Sequence, residues 1–308
     1  MNMQKLLRIG TRESQLAVWQ ATQVKQLLAK QGHAAELVYI RSEGDIDLKT
    51  PLYEMGVQGI FTRSLDIALL NDRIDLAVHS LKDVPTQLPE GITQAAVLER
   101  GRVHDLLVYR TNPDFLNDTN SIAHIATSSI RRKAQWLHRY PNHTLDNLRG
   151  NVNTRLKKLA ESSWDGAIFA QAGLERIDLR PPNSTVLDWM LPAPAQGAIV
   201  VVCRTADEHA REACSYLNHP GSALCTMIER SFLRTLLGGC STPISALAVV
   251  EDDQVFFKGN ILSLDGQKKV EIEKSVSIIH AGTLGNEAAL ELLDNGGQQI
   301  ADEIRNGL

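Results

Sequence analysis

Arginine residues recur directly after segments of this chain that have the apolar composition of buried strands. Ligands of open α/β sheets bind beyond the carboxyl ends of the strands, so these positions are candidates for binding. A guanidinium holds carboxylate or phosphate oxygens through paired hydrogen bonds. One such arginine is commonly solvated or paired with a neighbouring acid, but several at equivalent positions predict a polyanionic ligand. Arg12, Arg131, Arg132 and Arg176 follow strand candidates, whereas Arg149 precedes, and Arg155 falls within, the opening of the helix candidate "NVNTRL".

A run of hydroxyl residues, Thr127 to Ser129, precedes the helix candidate "IRRKAQWLHRY". Backbone N–H groups and hydroxyls at a helix N-terminus bind anions well. The first helical turn carries partial positive charge, so Arg131 and Arg132 need a negative partner there. We expect that partner to be a carboxylate or phosphate of a ligand.

The segment "IDLAVHSLKDVPT" ends a strand candidate with Lys82 and Asp83, and Pro85 directs the chain away from helix. An aspartate among many arginines stays ionised. Asp83 is therefore a candidate to stabilise a cationic intermediate or to relay a proton. The alternative is a turn aspartate that binds local backbone.

Cys240 follows Gly238 and Gly239 at a predicted helix end. The glycines leave space beside the sulfur, whereas a helix C-terminus does not lower a thiol pKa. The pattern favours a thiol that anchors a group permanently. The other cysteines, Cys203, Cys214 and Cys225, are expected to be inert, and the spacing of the four fits no zinc site.

The bulk composition excludes several classes of protein. The 308 residues carry a formal net charge of -4, and no apolar run reaches the length of a membrane span. Residues 126–159 are basic, but they offer only Trp136 and Tyr140 for stacking on bases, so nucleic acid is not favoured. We expect a cytoplasmic protein without a nucleic-acid or membrane partner and without a metal site.

In the first two thirds of the chain, short apolar runs alternate with helical periods, which predicts layers of parallel α/β structure. The breaks near 99–104 and 191–197 resemble hinges, and "AIVVVC" at 198–203 is expected to return to the first sheet. The predicted strands are "KLLRI", "AELVYI", "IDLAVHS", "IAHIATS" and "DGAIFA", and the predicted helices include "IFTRSLDIALLND", "IRRKAQWLHRY" and "NVNTRLKKLAES".

The last third of the chain predicts an α+β unit. A helix, "SALCTMIERSFLRTLLGG", precedes three extended runs, and Asp265-Gly266 predicts a hairpin between the last two. One helix near 286–305 closes the unit. The predicted domains are 1–99 with 198–219, then 104–192, and then 221–308.

The motifs, in their order along the chain, resemble the porphobilinogen deaminase (hydroxymethylbilane synthase) family. The resemblance runs from about residue 8 to 245. The motifs are "GTRESQLAVWQA", "AVHSLKDVPT", "ATSSIRRKAQWL", "LRGNVNTRLKKL", "AQAGLERI", "LPAPAQGAI" and "ERSFLRTLLGGCSTPI".

This resemblance implies two periplasmic-binding-protein-like (type II) α/β domains around a cleft and a third, C-terminal α+β domain with a three-stranded antiparallel sheet. It also implies a dipyrromethane cofactor attached to Cys240 by a thioether. Four porphobilinogen molecules are added head to tail with loss of ammonia, and hydrolysis releases hydroxymethylbilane. Each ring carries an acetate and a propionate, which matches the polyanion that the arginines predict. The family expectation is a monomer.

Roles at matching positions also follow from the resemblance. Asp83 is the expected catalytic carboxylate, which stabilises the positively charged pyrrole intermediates. The expected cofactor contacts are Lys82, Asp83, Thr127, Ser129, Arg131, Arg132, Arg155 and Cys240, and the expected substrate contacts are Arg12, Ser14, Arg149, Arg155, Arg176 and Gln196.

Four positions depart from the family pattern. The loop 54–61 has Glu54 and Gln58 where basic residues are common, so we assign it no carboxylate contact and expect a mobile lid. Ala126 and Ala195 stand where glycines are expected, which predicts a modest change of backbone geometry.

Two other classes of function compete with this assignment. A cytosolic anion-binding receptor would keep the two-domain cleft without its chemistry. A thiol hydrolase would need a histidine base near Cys240, and the nearest in sequence, His219 and His280, lie in no recognisable motif.

Overall fold

The structure is a computed structural model, and it describes residues 6–41, 62–236 and 242–307. The described residues form two compact units, and the chain passes between them after Gly101, Gln196 and Ala223. Unit 1 contains the described residues before 102 together with 197–223, and unit 2 contains the others. The predicted division into three domains remains a prediction.

Unit 1 is built on a five-stranded mixed sheet with the order β2-β1-β3-β10-β4. The first three strands in this order are parallel, whereas β10 is antiparallel to both of its neighbours. The elements of this unit are β1 (Leu7–Thr11), α1 (Gln15–Lys30), β2 (Ala35–Tyr39), α2 (Arg63–Leu70), β3 (Leu76–Ser80), β4 (Ile92–Val97), β10 (Ile199–Arg204) and α6 (Glu208–Ser215), with the first four residues of α7 (Pro220–Thr235) at its end.

The return of "AIVVVC" to the first sheet is confirmed, because these residues include most of β10. The predicted parallel layers do not extend to this strand, because β10 is antiparallel to both β3 and β4. A parallel neighbour needs a crossover connection on the face of the same sheet. The chain enters β10 from unit 2 instead, so no such crossover sets its direction.

The core of unit 1 lies between the sheet and the helices α1 and α6. Val24 and Leu28 of α1 lie one helical turn apart, so both point to the same side of the helix and are fully buried in this core. Gly32, just beyond the helix, has a φ of 83°, which glycine adopts without strain.

Unit 2 contains a second five-stranded mixed sheet, with the order β7-β6-β8-β5-β9. Strand β6 is parallel to β7 and β8, and β5 is antiparallel to β8 and β9. The elements around this sheet are β5 (Asp105–Tyr109), β6 (His124–Ala126), α3 (Ile130–Arg139), β7 (Thr144–Asp146), α4 (Val152–Glu161), β8 (Gly166–Ala170), α5 (Gln171–Glu175) and β9 (Ser184–Leu187).

The C-terminal part of unit 2 contains the three-stranded sheet and the helices of the predicted α+β unit. Its three antiparallel strands are confirmed, and Gly266, with a φ of 74°, lies in the hairpin between the last two. Most of α7 packs on this sheet, where Phe232 contacts Phe257 edge to face. The strands and final helices are β11 (Ile244–Glu251), β12 (Gln254–Leu262), β13 (Lys269–Ser277), α8 (Leu284–Leu292) and α9 (Gln298–Gly307).

The prediction of a single helix near 286–305 is wrong. Two helices, α8 and α9, are separated by a kink at Asn295 and Gly296, where the φ of Gly296 is 105°. The apolar period continues across the kink because both helices pack on the same core, which makes the sequence look like one helix.

Two features of the described residues bear on the class of protein. None of their helices is long and apolar enough to cross a lipid bilayer. The thiols of Cys203, Cys214 and Cys225 are buried, and none of the three forms a disulfide with another described cysteine. Burial raises the pKa of Cys203 to about 11 and that of Cys214 to about 12, which leaves these two thiols protonated and inert.

Candidate functional site

Residues at the carboxyl ends of β1 and β3, together with residues of α1 and α2, line a pocket of about 80 Å³ in unit 1. Arg12 follows β1, and Ser14 caps α1 by accepting a hydrogen bond from the backbone of Ala17 at 3.4 Å. Asp83 also lines this pocket. The structure therefore brings together three residues that the sequence assigned to chemistry from two separate motifs.

Lys82 and Asp83 lie in a single 3-10 turn, Leu81–Asp83, that directly follows β3. The Asp83 side chain is exposed, and Leu81 anchors the turn in the core. The carboxylate therefore lies exposed on a turn whose first residue is buried in the core. Pro85 follows the turn at once, as expected for a segment that cannot continue as helix.

His79 is a pocket residue that the sequence analysis missed. It lies on β3, is 7% exposed, and its Nε2 finds no hydrogen-bond partner among the described residues. Burial, together with the positive charge of Arg12, lowers the pKa of His79 to about 3. The imidazole is therefore uncharged at neutral pH. The position of the histidine inside the quoted motif "AVHSLKDVPT" was the available signal.

The hydroxyl run of unit 2 forms the N-terminus of α3, as predicted. Ser129 is the N-cap, and its Oγ accepts from the backbone N–H of Arg132 at 3.4 Å. The Thr127 Oγ1 accepts from the N–H of Ser129 at 3.2 Å, and Ser128 donates to the carbonyl of Leu148. The three hydroxyl side chains of the cap are thus each hydrogen-bonded to a backbone group.

Arg131 and Arg132 converge on a buried carboxylate, Asp105, that the sequence analysis did not identify. Arg131 Nη2 and Arg132 Nη2 each donate to Asp105 at 2.7 Å, and Arg132 Nε donates at 3.2 Å. Asp105 has no exposed surface, and both arginines are at most 6% exposed. The sequence analysis expected a ligand to supply the negative partner of Arg131 and Arg132. The structure shows that the chain itself supplies one such partner, the carboxylate of Asp105.

Gln196 joins the same cluster. Its Nε2 donates to Asp105 at 2.9 Å and to the carbonyl of Val103 at 2.7 Å. The side chain is 1% exposed. The nitrogen of this amide is thus engaged in holding Asp105, a role that the motif "LPAPAQGAI" did not reveal.

The cluster carries more positive than negative charge. Burial opposes ionisation of Asp105, but the charges of Arg131 and Arg132 outweigh it and hold the pKa of this carboxyl well below its usual range. Burial and the neighbouring Arg132 lower the pKa of Arg131 despite Asp105. Two guanidiniums face one carboxylate, and the Nε of Arg131 has no hydrogen-bond partner in the described part of the chain. The arrangement is suited to a further anion.

The other predicted arginines of unit 2 are held on or near helices. Arg149 is 4% exposed, and Arg155 donates from Nε to the carbonyl of Gly150 at 2.7 Å. Burial lowers the pKa of Arg176 to about 10. It does the same to Arg230 of α7, which the sequence analysis did not select although it lies in the quoted motif "ERSFLRTLLGGCSTPI".

Ala195 adopts a backbone conformation that normally belongs to glycine. Its φ is 62°, in the left-handed region, and its side chain is fully buried. Its N–H donates to the carboxylate of Glu229 at 2.6 Å, and the other oxygen of Glu229 accepts from Ala248 at 2.8 Å. Glu229 therefore fixes the loop before Gln196 to strand β11. The predicted change of backbone geometry is thus found at Ala195, which adopts a strained left-handed conformation. Ala126 lies within strand β6 and has no positive φ.

Two predicted features lie outside the described residues. These are Cys240, with its two preceding glycines, and the loop 54–61 with Glu54 and Gln58. Their assignments remain predictions.

Comparison with known proteins gives concordant matches over nearly the whole chain. The family model described as porphobilinogen deaminase, dipyromethane cofactor binding domain, matches residues 7–212, and the model of the porphobilinogen deaminase C-terminal domain matches 223–294. A porphobilinogen deaminase of Pelobacter propionicus is 39% identical over 302 residues, which is 97% of each chain. A porphobilinogen deaminase of Chlorobium phaeobacteroides is 39% identical over 311 residues, which is 98% of this chain and 99% of the relative.

Solved structures give more remote likenesses. An arginine-specific periplasmic binding protein of Salmonella typhimurium has a TM-score of 0.43 at 10% identity, covering 71% of this chain and 94% of its own. The methionine binding protein MetQ has a TM-score of 0.43 at 13% identity, covering 69% and 89%.

Proposed function

The chain belongs to the porphobilinogen deaminase family, and we propose which of its residues carry the reaction of that family. The enzyme condenses four porphobilinogen molecules head to tail, with release of ammonia, on a dipyrromethane cofactor. The product is hydroxymethylbilane, an intermediate of tetrapyrrole biosynthesis. The observation that carries the residue assignment is the buried excess of positive charge at the N-terminus of α3, where Arg131 and Arg132 share Asp105.

The donor set of this cluster fits the acetate and propionate groups of dipyrromethane. Guanidinium groups, hydroxyls and a helix N-terminus all bind carboxylates. When bound, the dipyrromethane supplies the pyrrole carbon to which the first substrate is joined. We assign its carboxylates to Lys82, Thr127, Ser129, Arg131, Arg132 and Arg155, and its thioether to Cys240.

The remaining predicted residues are assigned to the substrate and the growing chain. Arg12 and Ser14 belong to the pocket at the ends of β1 and β3. Arg149, Arg155 and Arg176 offer guanidiniums from unit 2. Gln196 contributes by holding Asp105. Buried guanidiniums favour anions strongly because burial has already removed much of their water.

We assign to Asp83 the role of catalytic carboxylate. Loss of ammonia from porphobilinogen leaves positive charge on the pyrrole, and a carboxylate beside it stabilises that charge. The exposed carboxylate of Asp83, on its short 3-10 turn, is available for this and for transferring the pyrrole proton.

We also propose that the enzyme is a cytoplasmic monomer that acts on a small molecule without nucleic-acid or membrane partners. The net charge of -4 and the inert buried thiols Cys203 and Cys214 support this assignment. The proposed domains are 1–99 with 198–219, 104–192 and 221–308. Sedimentation of the purified enzyme tests the monomer.

A mass spectrum of the denatured protein tests the function and two of the assignments together. The purified enzyme is expected to exceed its chain mass by a covalent dipyrromethane and to gain further pyrrole units when porphobilinogen is added. Cys240→Ser should carry no covalent cofactor. Asp83→Ala should remain folded but should not turn over porphobilinogen to hydroxymethylbilane, because the cationic pyrrole loses its counter-charge.

The outcomes separate the alternatives. A wild-type chain at its bare mass that still binds porphobilinogen would indicate an anion-binding receptor. A cofactor attached to Cys203, Cys214 or Cys225 would contradict the assignment of Cys240. Normal turnover by Asp83→Ala would remove Asp83 from the chemistry.

A further inference from the structure

His79 is a buried polar group of unit 1 that the assignments above leave without a role. It lies in the wall of the pocket that also contains Arg12 and Asp83. Its Nε2 is enclosed and meets no hydrogen-bond partner among the described residues. An unsatisfied nitrogen of this kind costs free energy in the unliganded protein, so a partner that arrives with a ligand would recover that cost.

The charge of the imidazole restricts what it can do. Burial and Arg12 keep His79 uncharged at neutral pH, since its pKa is about 3. So weak a base is not suited to taking a proton from the substrate at that pH. A neutral imidazole still donates one N–H. It can therefore add a hydrogen bond beside Arg12 without burying a second positive charge.

We propose that His79 is a substrate-binding residue whose Nε2–H donates a hydrogen bond to the porphobilinogen carboxylate held by Arg12 in this pocket. Arg12 supplies the charge and His79 supplies direction, so the two groups fix the orientation of an acidic side group. The inference rests on the proposed function of the pocket. It assigns a specificity role for the acetate or propionate, and no proton transfer.

Steady-state kinetics of two His79 variants test this role. His79→Leu removes the donor and should raise KM for porphobilinogen about tenfold or more, with kcat changed less than about threefold. His79→Gln keeps an N–H at nearly the position of Nε2 and should hold KM within about threefold of the wild type. The unfolding temperature of unliganded His79→Leu should not fall, because the variant loses an unsatisfied nitrogen.

His209→Leu is the matched control. His209 lies on α6 of the same unit, and its buried Nε2 is also without a partner among the described residues, but it is not part of the pocket. Its substitution should leave KM unchanged. A KM change shared by both leucine variants would therefore count against the proposal.

Other results are equally decisive. If His79→Leu and His79→Gln have the same KM, the donor has no role and the proposal is overturned. The proposal is also overturned if His79→Leu lowers both kcat and the unfolding temperature, because the histidine then has a structural role. Absence of deaminase activity in the wild type would instead contradict the proposed function.

Discussion

At the scale of single residues, the main finding is that one buried carboxylate organises the cationic cluster of unit 2. Asp105 accepts hydrogen bonds from Arg131, Arg132 and Gln196. These partners come from segments far apart in sequence, so no local pattern links them. An acid that opens an apolar run, as in "HDLLVY", was the only sequence signal. Such an acid needs a cationic partner once the run is buried.

Asp105→Asn should destabilise the protein and stop turnover. The substitution preserves shape but leaves two buried guanidiniums without their anion, and loss of one partner of a buried pair costs about 3–5 kcal/mol. The free energy of unfolding from urea titration and the rate of hydroxymethylbilane formation are the measurements.

Asp66→Asn is the control for a buried carboxyl. Burial raises the pKa of Asp66, so its charge is not stabilised by a cation. Neutralising it should change the unfolding free energy little. Equal losses for the two variants would show that Asp105 has no special relation to the arginines.

At the scale of the elements, the loop before β10 carries the clearest strain. Ala195 has a φ of 62°, and its N–H is tied to Glu229 of α7. The next residue, Gln196, holds Asp105. The backbone conformation of this loop therefore sets the position of a site residue, which explains why strain is tolerated there.

Ala195→Gly should raise the free energy of unfolding by about 0.5–1 kcal/mol. Glycine adopts the left-handed conformation without the steric strain that alanine has there, which stabilises the folded state. The higher conformational entropy of glycine in the unfolded chain offsets part of this stabilisation. Chemical denaturation of the two proteins measures the difference.

Ala126→Gly provides the opposite case. Ala126 is buried in β6, so glycine there should lower stability by about 1 kcal/mol. If both glycine variants were less stable than the wild type, the strain at Ala195 would be contradicted.

At the scale of the whole molecule, the described residues of each compact unit include one buried histidine with a lowered pKa. His79 lies in unit 1 and His143 in unit 2. Burial is the larger cause in both cases. His143 accepts from Trp136 at Nδ1 and contacts Ser121 through Nε2, whereas His79 keeps Nε2 unpartnered among the described residues. Acid should therefore weaken both units.

The unfolding free energy should fall as the pH drops from 7 to 5. A histidine whose folded pKa is below its unfolded value binds its proton more readily in the unfolded state, so stability is lost below the unfolded pKa of 6.5. For His79 the loss over this interval is about 2 kcal/mol. Urea titrations at several pH values measure it.

Comparison of His79→Leu with the wild type isolates this contribution. The two proteins differ only at residue 79, and the charged neighbours Arg12 and Asp83 of the pocket and Asp66 of α2 are present in both. The variant should lose less stability between pH 7 and 5. Identical pH profiles would mean that His79 titrates alike in the folded and unfolded chains.

The sequence by itself determined the features that depend on neighbouring residues. These include the three C-terminal strands, the hairpin at Gly266, the hydroxyl cap of α3 and the family motifs around Asp83 and Cys240. Strand period, turn chemistry and capping act over a few residues, so they can be read along the chain.

Only the tertiary structure decided the features that depend on residues distant in sequence. The antiparallel direction of β10, the kink at Gly296 and the pairing of Asp105 with Arg131 and Arg132 are of this kind. Each is set by which segments pack together, and the apolar period is the same for either direction of a strand. Buried charge pairing likewise becomes visible only when the fold brings its partners within hydrogen-bond distance.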